Sequence, residues 1–252
     1  MSAFTSNMMK GGAMLDDATR LAEAWQPDLT ADENLRRVSD LNLLGKISRA
    51  RTDDVLLRIL KPRFVDPGDQ VMHALKTLLD RPDAFREACY YETSRDDALL
   101  AAFAEGPLYE WYGRGRTTVN LEEVKQWFSE LAERGEAPAW TDNVRTKVAR
   151  GLLAALRDFG VLEGAAHKRF ATPRMTPLGF AYVAFRQHEL GASSRRLAES
   201  AVWRRWLLDR DRVVELFTQV ERLGVLRYLQ AGSSVRIDWL AGSLEEVARA
   251  AA

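Results

Sequence analysis

Apolar residues at helical spacing run through almost the whole chain, and the pattern changes to that of a β-hairpin at two places, each directly after a glycine. The first is "LLAALRDFGVLEG", Leu152 to Gly164, and the second is "LFTQVERLGVLRY", Leu216 to Tyr228. In each, an amphipathic helix meets Gly160 or Gly224 and continues as a short Val-Leu run. Helix followed by hairpin is the order at the helix-to-wing junction of a winged helix-turn-helix. The recurrence reads either as a duplicated unit or as the general preference for glycine at a helix C-terminus, where a left-handed backbone is needed.

Elsewhere the signals are helical. "MLDDATRLAEAW" carries Leu15, Ala18, Leu21, Ala22 and Trp25 on one face, and Pro27 closes it. Thr30 with Glu33 three residues on is a capping-box pattern. "RTDDVLLRILKPRF" predicts a helix ending at Pro62, and "PDAFREACYYETSRDDALLAAFAEG" predicts one broken near Ser94. "GPLYEWYGRGRTTV", rich in glycine and aromatics, reads as the link between an N-terminal helical domain, residues 1–112, and a C-terminal winged-helix-like domain, residues 113–252. Asn120 and Thr141 are the expected N-caps of the next two helices, and "AGSS", Ala231–Ser234, is the expected turn of the second hairpin. The expected fold class is mainly α, with one or two winged-helix-like units carrying short β-hairpins.

Charge singles out one region. The whole chain of 252 residues has 36 basic and 36 acidic side chains, but Arg145 to Arg212 holds 14 basic against 6 acidic, a net of +8. Nearly all are arginines, which suit forked recognition of phosphate; the bland alternative is a solvated helical surface. The candidate duplex contacts are Arg145, Lys147 and Arg150 at the start of the Asp142–Phe159 helix, and Lys168, Arg169 and Arg174 on the following hairpin, whose basic tip also holds His167.

Other chemistries lack their residues. His73, His167 and His188 are scattered, with no metal-ligand spacing, so neither a metal nor a cofactor is expected. "MKGGAML" and "YGRGRTT" match no phosphate-binding glycine motif, no GxSxG elbow exists, and Cys89 lies in a helical run with no nearby His. The acid pairs Asp16–Asp17, Asp53–Asp54 and Asp96–Asp97 fit helix first turns. No enzyme is expected. A single cysteine and the lack of any apolar run of about 18–20 residues suggest a cytoplasmic protein with no membrane partner.

The segments "FTSNMMKGGAMLDDATRLAEAW" and "NLLGKISRARTDDVLLRILKPRF" resemble the BrxA family of bacterial BREX phage-defence systems. The likeness rests on Phe4-Thr5-Ser6, Gly11–Gly12, Leu15-Asp16-Asp17, Asn42-Leu43-Leu44, Lys46, Ser48, Thr52 and the Ile59-to-Arg63 stretch, within about the first 65 residues. The resemblance implies a mostly helical protein encoded with a methyltransferase, an ATPase and a phosphatase-like partner. It also implies double-stranded DNA binding, and a fold likened to the RNA-binding antitermination factor NusB. Lys46, Ser48, Arg49, Arg51 and Thr52 are the binding candidates it carries over, although Ser48 and Thr52 are equally suited to capping a helix. The resulting expectation is a non-enzymatic double-stranded DNA-binding accessory that works with other BREX components. The alternatives are an adaptor docking those components, or RNA binding through a NusB-like fold.

Overall fold

A computed structural model describes residues 4–232 and 234–250. Along the chain come α1 (Met8–Gly11), α2 (Leu15–Ala24), α3 (Ala31–Asp40) and α4 (Arg49–Val55), the last continuing as a π-helical stretch, Leu56–Val65. Then follow α5 (Asp69–Thr77), α6 (Pro82–Asp96) and α7 (Ala98–Phe103), which runs through a second π-helical stretch, Ala104–Leu108, into α8 (Tyr109–Gly113). After β1 (Thr118–Val119) come α9 (Leu121–Glu133), α10 (Asp142–Asp158), β2 (Leu162–Glu163) and β3 (Lys168–Phe170). The remainder is α11 (Pro177–Glu189), α12 (Ser194–Ala198), α13 (Arg210–Arg222), β4 (Leu226–Ala231), β5 (Ser234–Trp239) and α14 (Leu244–Arg249). The fold is mainly helical with short antiparallel strands, as the spacing predicts. The expected turn at Ala231–Ser234 includes Ser233, which lies outside the described residues.

Several local expectations need correction. Pro62 does not end its helix: the missing N–H is absorbed by widening the register, with the Asp66 N–H donating to the Lys61 carbonyl at 2.9 Å, five residues back. Pro107 lies in the second π-helical stretch, so "GPLYEWYG" is helical instead of a linker. The break expected at Ser94 falls at Asp97, whose carboxylate accepts from the N–H groups of Leu99 and Leu100 and caps α7. The capping box at Thr30 is present, Thr30 and Glu33 bonding reciprocally.

Contacts gather the chain into two units, each built from three segments. The first holds residues up to Met14, Thr93–Arg174 and Ala201–Leu208; the second holds Leu15–Glu92, Met175–Ser200 and the chain from Asp209. This grouping does not coincide with the boundary expected at residue 112.

In the second unit, α11 is buried on all sides from Leu178 to Arg186, as a central helix must be apolar all round. Phe180 meets Phe217 edge-on at 4.8 Å, and Phe217 stacks on Tyr228 of the β4–β5 hairpin at 5.0 Å. Two of this unit's buried carboxylates bond to α11 and its cap. Glu92 accepts from the Tyr182 hydroxyl at 3.0 Å and from Arg186 Nε at 2.9 Å, while Arg186 also donates to Glu189 at 2.7 Å. Glu87 caps α11 indirectly, accepting from the Thr176 N–H at 2.9 Å and the Thr176 hydroxyl at 2.5 Å.

Burial pushes the Glu87 carboxyl up to about 7, the two Thr176 bonds opposing this only in part. A carboxyl raised in the folded state contributes stability that is complete below its unfolded value of about 4.5 and lost as pH rises through 7. Glu87→Gln should therefore remove a stability gain of up to about 3 kcal/mol between pH 8 and pH 4.5, read by urea denaturation of both proteins across that range. Identical pH profiles for the two proteins would contradict it.

Candidate nucleic-acid interface

Within the first unit, β1 pairs antiparallel with β3 and β3 with β2, giving a sheet of order β1-β3-β2 whose first strand precedes α9 and whose other two follow α10. Gly160 has φ +81, and the Val161 N–H reaches back to the Leu156 carbonyl at 2.9 Å, which closes α10 and starts the hairpin. Gly164 makes the hairpin turn: a Cβ there would lie 2.1 Å from the His167 carbonyl oxygen. Phe128 supports the α9–α10 pair by meeting Trp140 edge-on at 5.5 Å, and the Thr141 hydroxyl caps α10.

The exposed face of α10 carries Asn143, Lys147, Arg150 and Arg157, spaced so that they line one side of the helix. Lys147 and Arg150 have no ion-pair partner among the described residues, and the same holds for Arg174 beyond β3. Arg150 and Arg157 border a cleft of about 530 Å³ that continues to His167 and Lys168 of the hairpin and to Asn120 at the start of α9. Arg157 pairs with Asp158 at 2.6 Å. It was missed in the sequence although its spacing of seven from Arg150 places it on the same stripe.

The other candidates are engaged within the fold. Arg145 bonds to the Ser129 hydroxyl and lies 3.6 Å from Asp142. Lys168 is buried, its ammonium donating to the Gly164 carbonyl at 2.8 Å and to that of Ala165. Burial, then Arg157 nearby, lowers its pKa. Arg169 is exposed and pairs with Glu163 at 3.1 Å.

The N-terminal cluster belongs to the second unit and is likewise built into it. Lys46 pairs at 2.5 Å with Asp17, which is nearly buried, and Ser48 caps α4 by accepting from the Arg51 N–H. Arg49 pairs with Asp40 and Arg51 with Asp54, both at 2.6 Å. Thr52 is fully buried and donates to Asn42 Oδ1 at 2.5 Å. Asn42, at φ +46, also bonds to both backbone groups of Lys46. "NLLGKIS" is thus a turn locked by side chains.

The "MMKG" segment meets α10 in the first unit. α1 packs on α10 at Gly151, where a Cβ would stand 2.3 Å from the Met8 carbonyl oxygen. Gly151→Ala is expected to lower stability by about 1–3 kcal/mol through overpacking, despite alanine's advantage of about 1 kcal/mol in a helix interior. A melting temperature equal to or above the parent's would contradict that close approach.

The second junction shares two features with the first. Gly224 has φ +74, and the Val225 carbonyl accepts from the Leu240 N–H just as Val161 accepts from Ala171. Its charge differs. The exposed side of α13 presents Asp211, Glu215, Thr218 and Arg222 where α10 presents cations. Among the described residues no cluster of His, Cys, Asp or Glu is arranged to hold a metal, and no helix is long and apolar enough to cross a membrane.

A family model described as BrxA matches residues 2–187. The crystal structure of an uncharacterized protein from Magnetospirillum magneticum is similar, with a TM-score of 0.60 and 16% identity, over 81% of this chain and 97% of that one. At that identity the likeness is one of fold. No curated protein matches the sequence.

Proposed function

Because the chain belongs to the BrxA family, we propose that it is a non-enzymatic double-stranded DNA-binding component of a BREX phage-defence system, gripping the duplex through its first unit. The order β1–α9–α10–β2–β3, with β3 between the other two strands, supports a winged helix-turn-helix reading, in which α10 takes the role of recognition helix. The observation that carries the reading is the α10 face. Lys147 and Arg150 stand exposed beside a hairpin and are not neutralised by any carboxylate among the described residues. Such cations neutralise backbone phosphates, and Asn143, at the N-terminal end of the same stripe, is the residue type that reads adenine in the major groove.

The helix before the second unit's hairpin, α13, carries the exposed carboxylates Asp211 and Glu215 in its first two turns, so DNA contact is assigned to the first unit only. The Lys46-to-Thr52 cluster is left out of the contact set because each member has a structural partner.

A labelled DNA duplex challenged with unlabelled competitors tests the reading. Unlabelled duplex should displace the label well before single-stranded DNA or an RNA duplex of the same sequence, because A-form RNA hides the edges that a major-groove helix reads. Displacement by RNA at lower concentration than by DNA would transfer the function to RNA.

A further inference from the structure

Elsewhere in the first unit, α8, α9 and the segment between them border an open groove of about 740 Å³ that shares no residue with the α10 stripe. Trp111 and Trp127 line it, both partly exposed and both resting on the buried ring of Phe103, at 5.7 and 5.1 Å between centroids. Four carboxylates surround them, Glu110, Glu122, Glu123 and Glu130, against the guanidiniums of Arg116 and Arg134. Arg134 is engaged by Glu136 at 2.6 Å. On α9, Glu123 and Glu130 stand one turn before and one turn after Trp127.

The groove already displays its preferred ligand chemistry. Arg116 lies over the Trp111 ring at 4.7 Å, and its Nη2 donates to both oxygens of Glu123 at 2.5 and 2.6 Å. Beside it, Trp127 offers a second indole with no guanidinium over it among the described residues. The neighbouring carboxylates have only loose surface partners: Glu110 meets Arg114 at 3.5 Å, and Glu130 accepts from Gln126 at 3.3 Å. Exposed pairs of this kind are easily exchanged. We infer that this groove docks a partner protein through an arginine of an extended segment, its guanidinium stacked on Trp127 and bonded to Glu130 and Glu110. The excess of carboxylates disfavours phosphate, which separates this surface from the DNA contact and makes the inference independent of it.

The full chain, labelled with ¹⁵N, is titrated with the peptide acetyl-Gly-Gly-Arg-Gly-Gly-amide while the indole N–H resonances are followed, Trp111→Phe and Trp127→Phe identifying the two signals. Saturable shifts of both are expected, with affinity reduced roughly tenfold for the citrulline counterpart, which lacks the charge. Glu110→Gln/Glu130→Gln, a change confined to exposed side chains, should weaken binding similarly while leaving circular dichroism unchanged. Absence of saturable shifts, equal binding of the citrulline peptide, or undiminished binding by the double variant would overturn the assignment. A lysine peptide binding as tightly would overturn the choice of a guanidinium.

Discussion

Arg186→Leu is expected to destabilise the protein by about 3–5 kcal/mol, the usual cost of breaking a buried ion pair from one side. Arg186 is 4% exposed and Glu92 is fully buried, so the pair is shielded from the solvent that makes surface pairs weak. Burial alone would lower the guanidinium's pKa, but Glu92, the bond to Glu189 and Tyr182 together hold it above its ordinary value. The substitution removes that compensating charge from the centre of the second unit. Removing both charges is less damaging than removing one, because apolar replacements need no counter-ion. Glu92→Leu/Arg186→Leu should thus recover part of the loss in urea denaturation. A single-variant change under about 1 kcal/mol would show that the pair is hydrated or dispensable.

The second large effect concerns DNA. Replacing Lys147 and Arg150 together by alanine should flatten the dependence of log affinity on log salt by about 2, since each lost phosphate contact removes about one from the slope. At fixed moderate salt this corresponds to a loss of roughly 10- to 100-fold, shared by all duplex sequences. Adding Arg174→Ala should remove about one more contact. Stability should hold, because neither Lys147 nor Arg150 has an ion-pair partner among the described residues. Arg49→Ala/Arg51→Ala is the matched control, two equally basic positions whose charges are answered by Asp40 and Asp54. Equal losses in both double variants would mean that general charge, not the α10 face, governs binding.

What the sequence made legible was local. Caps at Thr30 and Thr141, and the helix-to-hairpin turns at Gly160 and Gly224, depend on a few neighbouring residues and occur where the pattern puts them. The π-helical passages through Pro62 and Pro107 were hidden because proline reads as a stop unless the register behind it can widen. Charge counting failed for a different reason. The net +8 stretch includes Arg186 and Arg205, which are answered by Glu92 and Glu105, 94 and 100 residues away. Lys168 looked like a hairpin-tip cation, yet it turns inward to hold the turn carbonyls. The interleaving of three segments in each unit is likewise tertiary, set by contacts between stretches far apart in the sequence.

The family-resembling residues teach the same lesson. Lys46, Ser48 and Thr52 lie beside arginines and suggest a phosphate site, but Asp17, the Arg51 N–H and Asn42 occupy them. A turn that must hold Asn42 at positive φ needs such partners, which gives these residues a structural reason to be there.

The most direct measurement is fluorescence anisotropy of a labelled duplex of about 30 base pairs, titrated with the full chain at several salt concentrations. The winged-helix reading predicts binding near physiological salt, with log affinity falling against log salt at a slope of about −2 or steeper. No binding there, or affinity indifferent to salt, would contradict it and leave the tryptophan groove as the surface through which the protein acts.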